Sequence, residues 1–275
     1  MPVKLNKQGW PRFLGDWLPS ADDPKCLIDV DVDGDTFIAA ASVFKFGETF
    51  KTTDHFRYPI TLDILADVDY PYPPVVLDIG ASVGITSLNL ITRFDFRRYY
   101  ITDLHLDVYY EIRHGKQYYY DTDQNCILIV SKRFVIYTDI DDAIFPFDWI
   151  ARHSFSKAAP KGRDLPKIDL AHPALKQVAG DVVIRKYDVF TKWPGEKADL
   201  VIAANILLKK NFTDEHILIA AQNIIDALKK PGRFVVVDNQ AFEKSTLFRV
   251  TDDGAKVEKD VNGGAEVREL ILGNF

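Results

Sequence analysis

The sequence of 275 residues has little cysteine and no long apolar run. Its two cysteines, Cys26 and Cys126, are too few for the disulfide framework that supports many small secreted folds. No stretch reaches the roughly 18 consecutive apolar residues that a membrane-spanning helix needs. The first residues also lack the basic-then-apolar pattern of a signal peptide. The sequence therefore predicts a cytoplasmic protein that does not enter a membrane.

The sequence also lacks an excess of positive charge and histidines paired at metal-ligand spacing. The net charge is −6, whereas a general nucleic-acid binder needs a basic face for phosphate contacts. The histidines are scattered without zinc-ligand spacing, so we predict no metal site. Acid-rich stretches at 29–35 and 139–142 imitate cation-binding loops. The first has Ala40 where an EF-hand needs a glutamate, and we expect solvated acids in both stretches.

What the sequence does contain is an apolar run that ends in an acid and two spaced glycines. Residues 75–79 suit a strand buried on both faces, and Gly80 and Gly84 let the backbone come close to a ligand. A dinucleotide fingerprint has three glycines, but Ser82 stands between the two here. The lysine of a P-loop is absent as well. This strand-to-turn corner, residues 75–84, predicts a nucleotide-type ligand whose binding does not depend on a pyrophosphate.

The corner resembles the first motif of class I S-adenosylmethionine (SAM) dependent methyltransferases, in which an acid precedes two spaced glycines. Asp78, Gly80 and Gly84 match this motif, and Ser82 replaces a frequent glycine. The resemblance implies that SAM is the cofactor. Its methionine end would be held by the acid and by the turn, which includes Ala81.

Three later strand-like runs end in polar residues that agree with this resemblance. The first ends in Asp103, followed by Leu104, and an acid at this place can accept both ribose hydroxyls. By resemblance, Asp188 meets the adenine amino group, and Val189 supplies its backbone and an apolar wall. Asn205 ends the third run and is expected near the cofactor.

These runs together predict an α/β fold with a Rossmann-like class I methyltransferase sheet, mostly parallel with antiparallel C-terminal strands. Predicted helices lie at about 84–94 and 213–228, and predicted strands lie at 75–79, 98–103, 182–190, 198–205, 233–238, 247–251 and 266–272.

Two parts fall outside this predicted core. We predict an N-terminal extension over 1–70, with a β-hairpin at 27–42 and a short helix through Leu65. The methyltransferase domain is predicted over 71–275, with an inserted β meander and loop at about 106–180. The tyrosines at 118–120 belong to this meander and either stack on a ligand or suit a half-buried strand.

The catalytic residues and the acceptor are not readable from a motif. His105, two residues after Asp103, is a candidate general base or an ordinary loop histidine. Asn205 is a weak second candidate, because the Asn-Pro-Pro-Tyr of amino-methylating enzymes is replaced by Asn-Ile-Leu-Leu. Residues 151–186 carry eight bases against three acids. They either steer an anionic substrate or form a solvated loop.

The sequence thus predicts methyl transfer from SAM to an oxygen or nitrogen atom of a small molecule, with an anionic one as the first class to test. The alternative is a non-catalytic SAM-binding or SAM-fold regulatory protein, because fold does not fix function. An aminopropyl transferase of the same fold is disfavoured by the basic segment. Whether the protein forms a homo-oligomer stays open.

Overall fold

A computed structural model gives the fold, and it describes residues 2–11, 13, 17–28, 32–47, 49–55, 57–138, 145–156, 158, 162–239 and 241–275. Residues 29–31 and 139–142 of the acid-rich stretches, and the bases Lys157 and Lys161, lie outside this range. The chain forms two compact units. The first unit comprises Met1–Thr53 and His105–His172, and the second comprises Asp54–Leu104 and Pro173–Phe275. The domain boundary proposed between residues 70 and 71 stays a prediction.

Helices and strands are numbered along the chain. The helices are α1 (Gly34–Ala41), α2 (Pro59–Ala66), α3 (Ile85–Ile91), α4 (Phe147–Phe155), α5 (Asp214–Ala227) and α6 (Arg268–Leu272). The strands are β1 (Val3–Asn6), β2 (Ser20–Ala21), β3 (Lys45–Phe46), β4 (Thr49–Phe50), β5 (Val75–Ile79), β6 (Arg98–Asp103), β7 (Asp107–Arg113), β8 (Lys116–Tyr120), β9 (Cys126–Val130), β10 (Phe134–Tyr137), β11 (Lys167–Asp169), β12 (Val182–Lys186), β13 (Ala198–Ala204), β14 (Leu228–Asn239), β15 (Glu243–Thr251) and β16 (Gly254–Val261). Among the described residues, no helix is both long and apolar enough to cross a lipid bilayer.

The first unit contains a seven-stranded sheet in the order β11, β7, β8, β9, β10, β1, β2. The predicted meander is confirmed, because β8, β9 and β10 pair antiparallel in sequence. Tyr118 and Tyr120 pack in the cluster that includes Ala151 of α4, whereas the Tyr119 ring meets the Phe44 ring edge-on at 5.2 Å. All three tyrosines are buried, so β8 is covered on both faces and not on one.

The predicted hairpin over 27–42 is wrong. Pro24–Ile28 forms a 3-10 helix, and the next element is α1. The backbone amide of Thr36 donates to the Asp33 side chain at 3.0 Å, which makes Asp33 the N-cap of α1. An Asp-Gly pair suits a hairpin turn and a helix start alike. Here a helix forms because four apolar side chains are buried at helical spacing. They belong to Phe37, Ile38, Ala40 and Ala41.

The second unit contains a seven-stranded sheet in the order β12, β6, β5, β13, β14, β15, β16. The first five of these strands are parallel, and β15 and β16 continue antiparallel. The strand β5 is buried along its whole length between β6 and β13, as its apolar run predicts. The predicted α/β fold class, with a Rossmann-like and mostly parallel sheet, is confirmed.

The predicted last strand over 266–272 is wrong, because these residues include α6. The last strand is β16, which follows the predicted turn at 253–254. Its exposed residues are mostly charged, since it lies at the edge of the sheet and faces solvent. Ala255 and Val257 pack against the apolar cluster of the unit, but Lys259 interrupts the apolar alternation by which the sequence could reveal the strand.

A buried carboxylate holds the start of α2 in the second unit. Glu243 in β15 accepts hydrogen bonds from the backbone amide and the hydroxyl of Thr61, at 2.6 and 2.5 Å. Its other oxygen accepts from the backbone amide of Ile60 at 3.2 Å. The first amides of a helix have no partner within the helix, and Tyr58 before α2 makes no side-chain cap. Glu243 therefore caps α2 from a distant strand.

We expect Glu243→Gln to lower the free energy of unfolding by about 1–3 kcal/mol, because one acceptor and the negative charge are lost from buried donors. Denaturant unfolding followed by circular dichroism measures this loss. Asp63→Asn is the matched control, because Asp63 lies on the same helix and pairs with Arg93 at the surface. Its loss should stay below about 1 kcal/mol. Equal losses in the two variants would contradict the capping role.

Candidate functional site

The candidate site lies at the carboxyl edge, meaning the edge of the second-unit sheet where its parallel strands end. The strand order reverses between β5 and β13, and open α/β sheets bind ligands in the crevice at such a switch point. All predicted cofactor residues lie in or directly after strands that end at this edge. They are Asp78 and residues 80, 81, 82 and 84 with β5, Asp103 and Leu104 with β6, Asp188 and Val189 after β12, and Asn205 after β13.

Two hydrogen bonds tie the glycine turn to β6. The backbone amide of Ala81 donates to the Thr102 carbonyl at 2.9 Å. The next amide, of Ser82, donates to the Asp103 carboxylate at 2.8 Å. The turn is tight enough that Gly80, Ser82 and Gly84 all have positive φ angles, of 68°, 59° and 81°. Glycine adopts this conformation freely, whereas serine does so under strain.

The space beside both glycines is filled by side chains of the same unit. A β-carbon at Gly80 would lie 2.3 Å from Ile206 Cγ2, and one at Gly84 would lie 2.6 Å from Leu175 Cδ1. Any larger residue would therefore displace Ile206 or Leu175. The sequence identifies the glycines but not these two neighbours, because no local signal links residues so far apart in the chain.

Asp78 is a carboxylate buried in β5. One of its oxygens accepts from the Ser87 hydroxyl at 2.6 Å and from the Tyr99 hydroxyl at 3.2 Å. Burial raises the pKa of the Asp78 carboxyl to about 6, against the lowering effect of these two hydrogen bonds. Its other oxygen, and the hydroxyl of Ser82, are buried and have no hydrogen-bond partner among the described residues.

The residues predicted to hold adenine accept hydrogen bonds from other residues of the protein. One carboxylate oxygen of Asp188 accepts from the Phe190 amide at 3.0 Å, which closes the turn after β12. The Val189 carbonyl accepts from the Asn223 side chain at 2.9 Å. Val189 packs against the apolar cluster of the unit. Such packing is compatible with an apolar wall, and the adenine-binding role stays a prediction.

Asn205 joins the ends of two strands. Its side-chain oxygen accepts from the Asn239 amide at 2.7 Å, and its own amide donates to the Val237 carbonyl at 2.8 Å. The Asn239 side chain in turn donates to the Arg57 carbonyl, so the chain before α2 is held at the carboxyl edge. Asn205 therefore has a structural role here, and its role in catalysis stays a prediction.

His105 belongs to the first unit. Its ring stacks on Phe46 with 4.0 Å between ring centroids, and its carbonyl accepts from the Lys51 ammonium group at 2.6 Å. These contacts describe a packed histidine, and the role of general base stays a prediction. The basic segment is divided between the two units. In the first unit, Arg163 pairs with Glu111 and Lys167 pairs with Asp107, and the bases at 176, 185 and 186 belong to the second.

Asp78→Asn should make the protein more stable at neutral pH. Below about pH 3.8 the carboxyl is protonated in both the folded and the unfolded chain. As the pH rises to about 6, the unfolded chain releases its proton first, so the folded state loses up to roughly 3 kcal/mol. The amide oxygen of asparagine can still accept from Ser87 and Tyr99.

We therefore expect the stability difference between Asp78→Asn and the parent to grow by about 1–3 kcal/mol from pH 4.5 to pH 8. Denaturant unfolding across this range measures it. Asp181→Asn, which changes an exposed acid paired with Arg98, is the control. A difference that does not change with pH would contradict the burial of a charged carboxylate.

The sequence matches no protein-family model and no curated protein. Solved structures similar to it include YcgJ from Bacillus subtilis, with 14% identity, 66% of this chain and 51% of that chain covered, and a TM-score of 0.34. The structure titled PigF with SAH has 15% identity, and the match covers 66% of this chain and 37% of that chain with a TM-score of 0.35. An O-methyltransferase family protein from Burkholderia thailandensis has 11% identity, and the match covers 65% of this chain and 37% of that chain with a TM-score of 0.35.

The matched region spans about a third to a half of the length of those proteins. Because these identities and TM-scores are low, the fold assignment depends on the sheet itself. In that sheet, the five parallel strands are ordered third, second, first, fourth and fifth along the chain. The protein has a Rossmann-like α/β fold.

Proposed function

We propose that the protein is a SAM-dependent methyltransferase that binds SAM at the carboxyl edge of the second unit. The observation that supports this most is the set of acids around the switch point. Asp78 and Asp103 lie on the adjacent strands β5 and β6, and the turn between them is tied to Asp103. Ser82 stands where a dinucleotide fingerprint has bare backbone, which favours a nucleoside ligand without a pyrophosphate.

The residues at the carboxyl edge fit the chemical groups of SAM. The Asp78 oxygen that has no partner among the described residues suits a cationic amino group, and Asp103 suits the ribose hydroxyls. Asp188 and Val189 would border the adenine. When bound, SAM supplies a methyl group that its sulfonium already activates. The protein then has to hold the acceptor in line with the bond that breaks, and to exclude water.

We propose an oxygen or nitrogen atom of a small molecule as the methyl acceptor, with anionic compounds as the first class to test. Arg185 and Lys186 are exposed at the end of β12, and Lys186 lies in register with Asp103. Two exposed positive charges beside the carboxyl edge would attract an anion. His105 is the residue to substitute first when a base is sought, since a protonated acceptor must lose its proton. Asn205 stays a catalytic candidate but not as a base, because its amide does not take up a proton.

Isothermal titration with SAM, S-adenosylhomocysteine (SAH) and NAD tests the cofactor. We expect binding of SAM and SAH but not of NAD. Asp103→Asn keeps an oxygen that can accept from Ser82 but removes the charge, so both affinities should fall by about tenfold or more. Asp181→Asn, at the opposite end of the sheet, should leave them unchanged.

Failure of the folded parent to bind SAM or SAH would overturn the proposal. Binding without methyl transfer to any member of a panel of acceptors would favour a non-catalytic SAM-binding regulatory protein instead. The panel begins with small carboxylates and phosphates, because these test the anionic class directly.

A further inference from the structure

The proposed cofactor site uses one half of the carboxyl edge. The residues assigned to the amino-acid end, the ribose and the adenine of SAM lie at the ends of β5, β6 and β12, on one side of the switch point. The ends of β13 and β14 form the other half. The sulfonium of SAM joins the amino-acid end to the ribose, so its methyl group would lie near the end of β5, which pairs with β13. An acceptor aligned with this methyl group would meet residues at the ends of β13 and β14.

One segment of the chain, residues 57–61, crosses this other half, and we call it the strap. The Arg57 carbonyl accepts a hydrogen bond from the Asn239 side chain at the end of β14. The next side chain, of Tyr58, shares a hydrogen bond with the side chain of Thr86 at the start of α3, which follows β5. Because β13 lies between β5 and β14, the strap passes the end of β13.

The strap is also held at its other end. The amide and hydroxyl of Thr61 donate to Glu243, and the Thr61 hydroxyl lies 2.7 Å from the Ser245 hydroxyl. The Tyr58 side chain is buried, whereas Arg57 is partly exposed. The backbone that carries Arg57 is thus held on both sides of the gap that it crosses. A residue held in this way loses less freedom when a ligand binds to it.

Arginine at this place has a specific chemistry. Its guanidinium group stays charged and presents a planar fork of donors that matches the two oxygens of a carboxylate or phosphate. Arg185 and Lys186 are positive as well, but they end β12 on the side assigned to adenine. They can attract an anion to the edge, but their strand is separated from β13 by β6 and β5.

We infer that Arg57 is the specificity-determining residue that binds the carboxylate or phosphate group of the methyl acceptor. This inference rests on the proposed function and adds to it the residue that selects an anionic acceptor. The known contact of Arg57 with Asn239 uses the backbone carbonyl, so substitution of the side chain keeps that contact.

The charge of the cofactor tests the position of Arg57 without a known acceptor. SAM carries a positive sulfonium where SAH has a neutral sulfur, so a guanidinium beside the acceptor position disfavours SAM relative to SAH. We expect Arg57→Gln to raise the SAM affinity relative to the SAH affinity by about threefold or more, measured by isothermal titration. Arg93→Gln, which breaks a surface pair with Asp63, is the matched control and should leave this ratio unchanged.

Inorganic phosphate is the probe for the oxyanion. At constant ionic strength, replacing chloride by phosphate should strengthen SAM binding to the parent by about threefold or more, because the bound anion offsets the charge of Arg57. Arg57→Gln should lose this effect. Arg57→Lys keeps the charge but not the planar fork, so it should keep the parent's ratio of SAM to SAH affinity and show a smaller phosphate effect.

The outcomes separate this inference from the proposed function. If the folded parent binds neither SAM nor SAH, the proposed function is wrong and the inference is overturned with it. If the parent binds both and Arg57→Gln has the same affinity ratio, the inference alone is overturned. Equal weakening of SAM and SAH in Arg57→Gln also overturns it, because Arg57 would then contact the cofactor. An equal phosphate effect in the parent and Arg57→Gln overturns it too, because the ion would bind elsewhere.

Discussion

Two hydrogen bonds from consecutive amides fix the turn after β5 to the end of β6, and the geometry of the candidate site depends on them. The Ala81 amide bonds a backbone carbonyl, but the Ser82 amide bonds the carboxylate of Asp103. The acid predicted to meet the ribose is therefore also the acid that shapes the turn. The predicted ribose contact and the local structure are thus coupled at Asp103, so only a substitution that preserves an acceptor can separate them.

Buried carboxylates in the second unit fall into two kinds. Both oxygens of Glu243 receive hydrogen bonds from the start of α2, so its burial is accounted for within the protein. Asp78 is as deeply buried, but one of its oxygens has no partner among the described residues, and its pKa is raised. Asp238 is also buried, with one oxygen that has no partner among the described residues and a raised pKa, so Asp78 is distinguished by these features only together with its place at the switch point.

The sequence reveals the parallel strands because each is a buried apolar run that ends in a polar residue, such as Asp78 or Asp103. It does not reveal α1, because Asp-Gly suits a hairpin as well as a helix start. It also misses β16, whose charges hide the strand. The site is predictable at the acids and glycines but not at the pairs Asn205 with Asn239, or Gly80 with Ile206. Those contacts join distant residues, and strand order alone brings them together.

The cap of α2 by Glu243 links positions 182 residues apart. A growing chain emerges from the ribosome in sequence order, so α2 is exposed long before its cap exists. The sheet of the first unit needs nothing beyond β11 and can close while the chain is still being made. The second unit has to wait for β15 and β16. Synthesis of this protein therefore passes through a stage in which all strands of the first unit have been made and the second unit still lacks the carboxylate that caps α2.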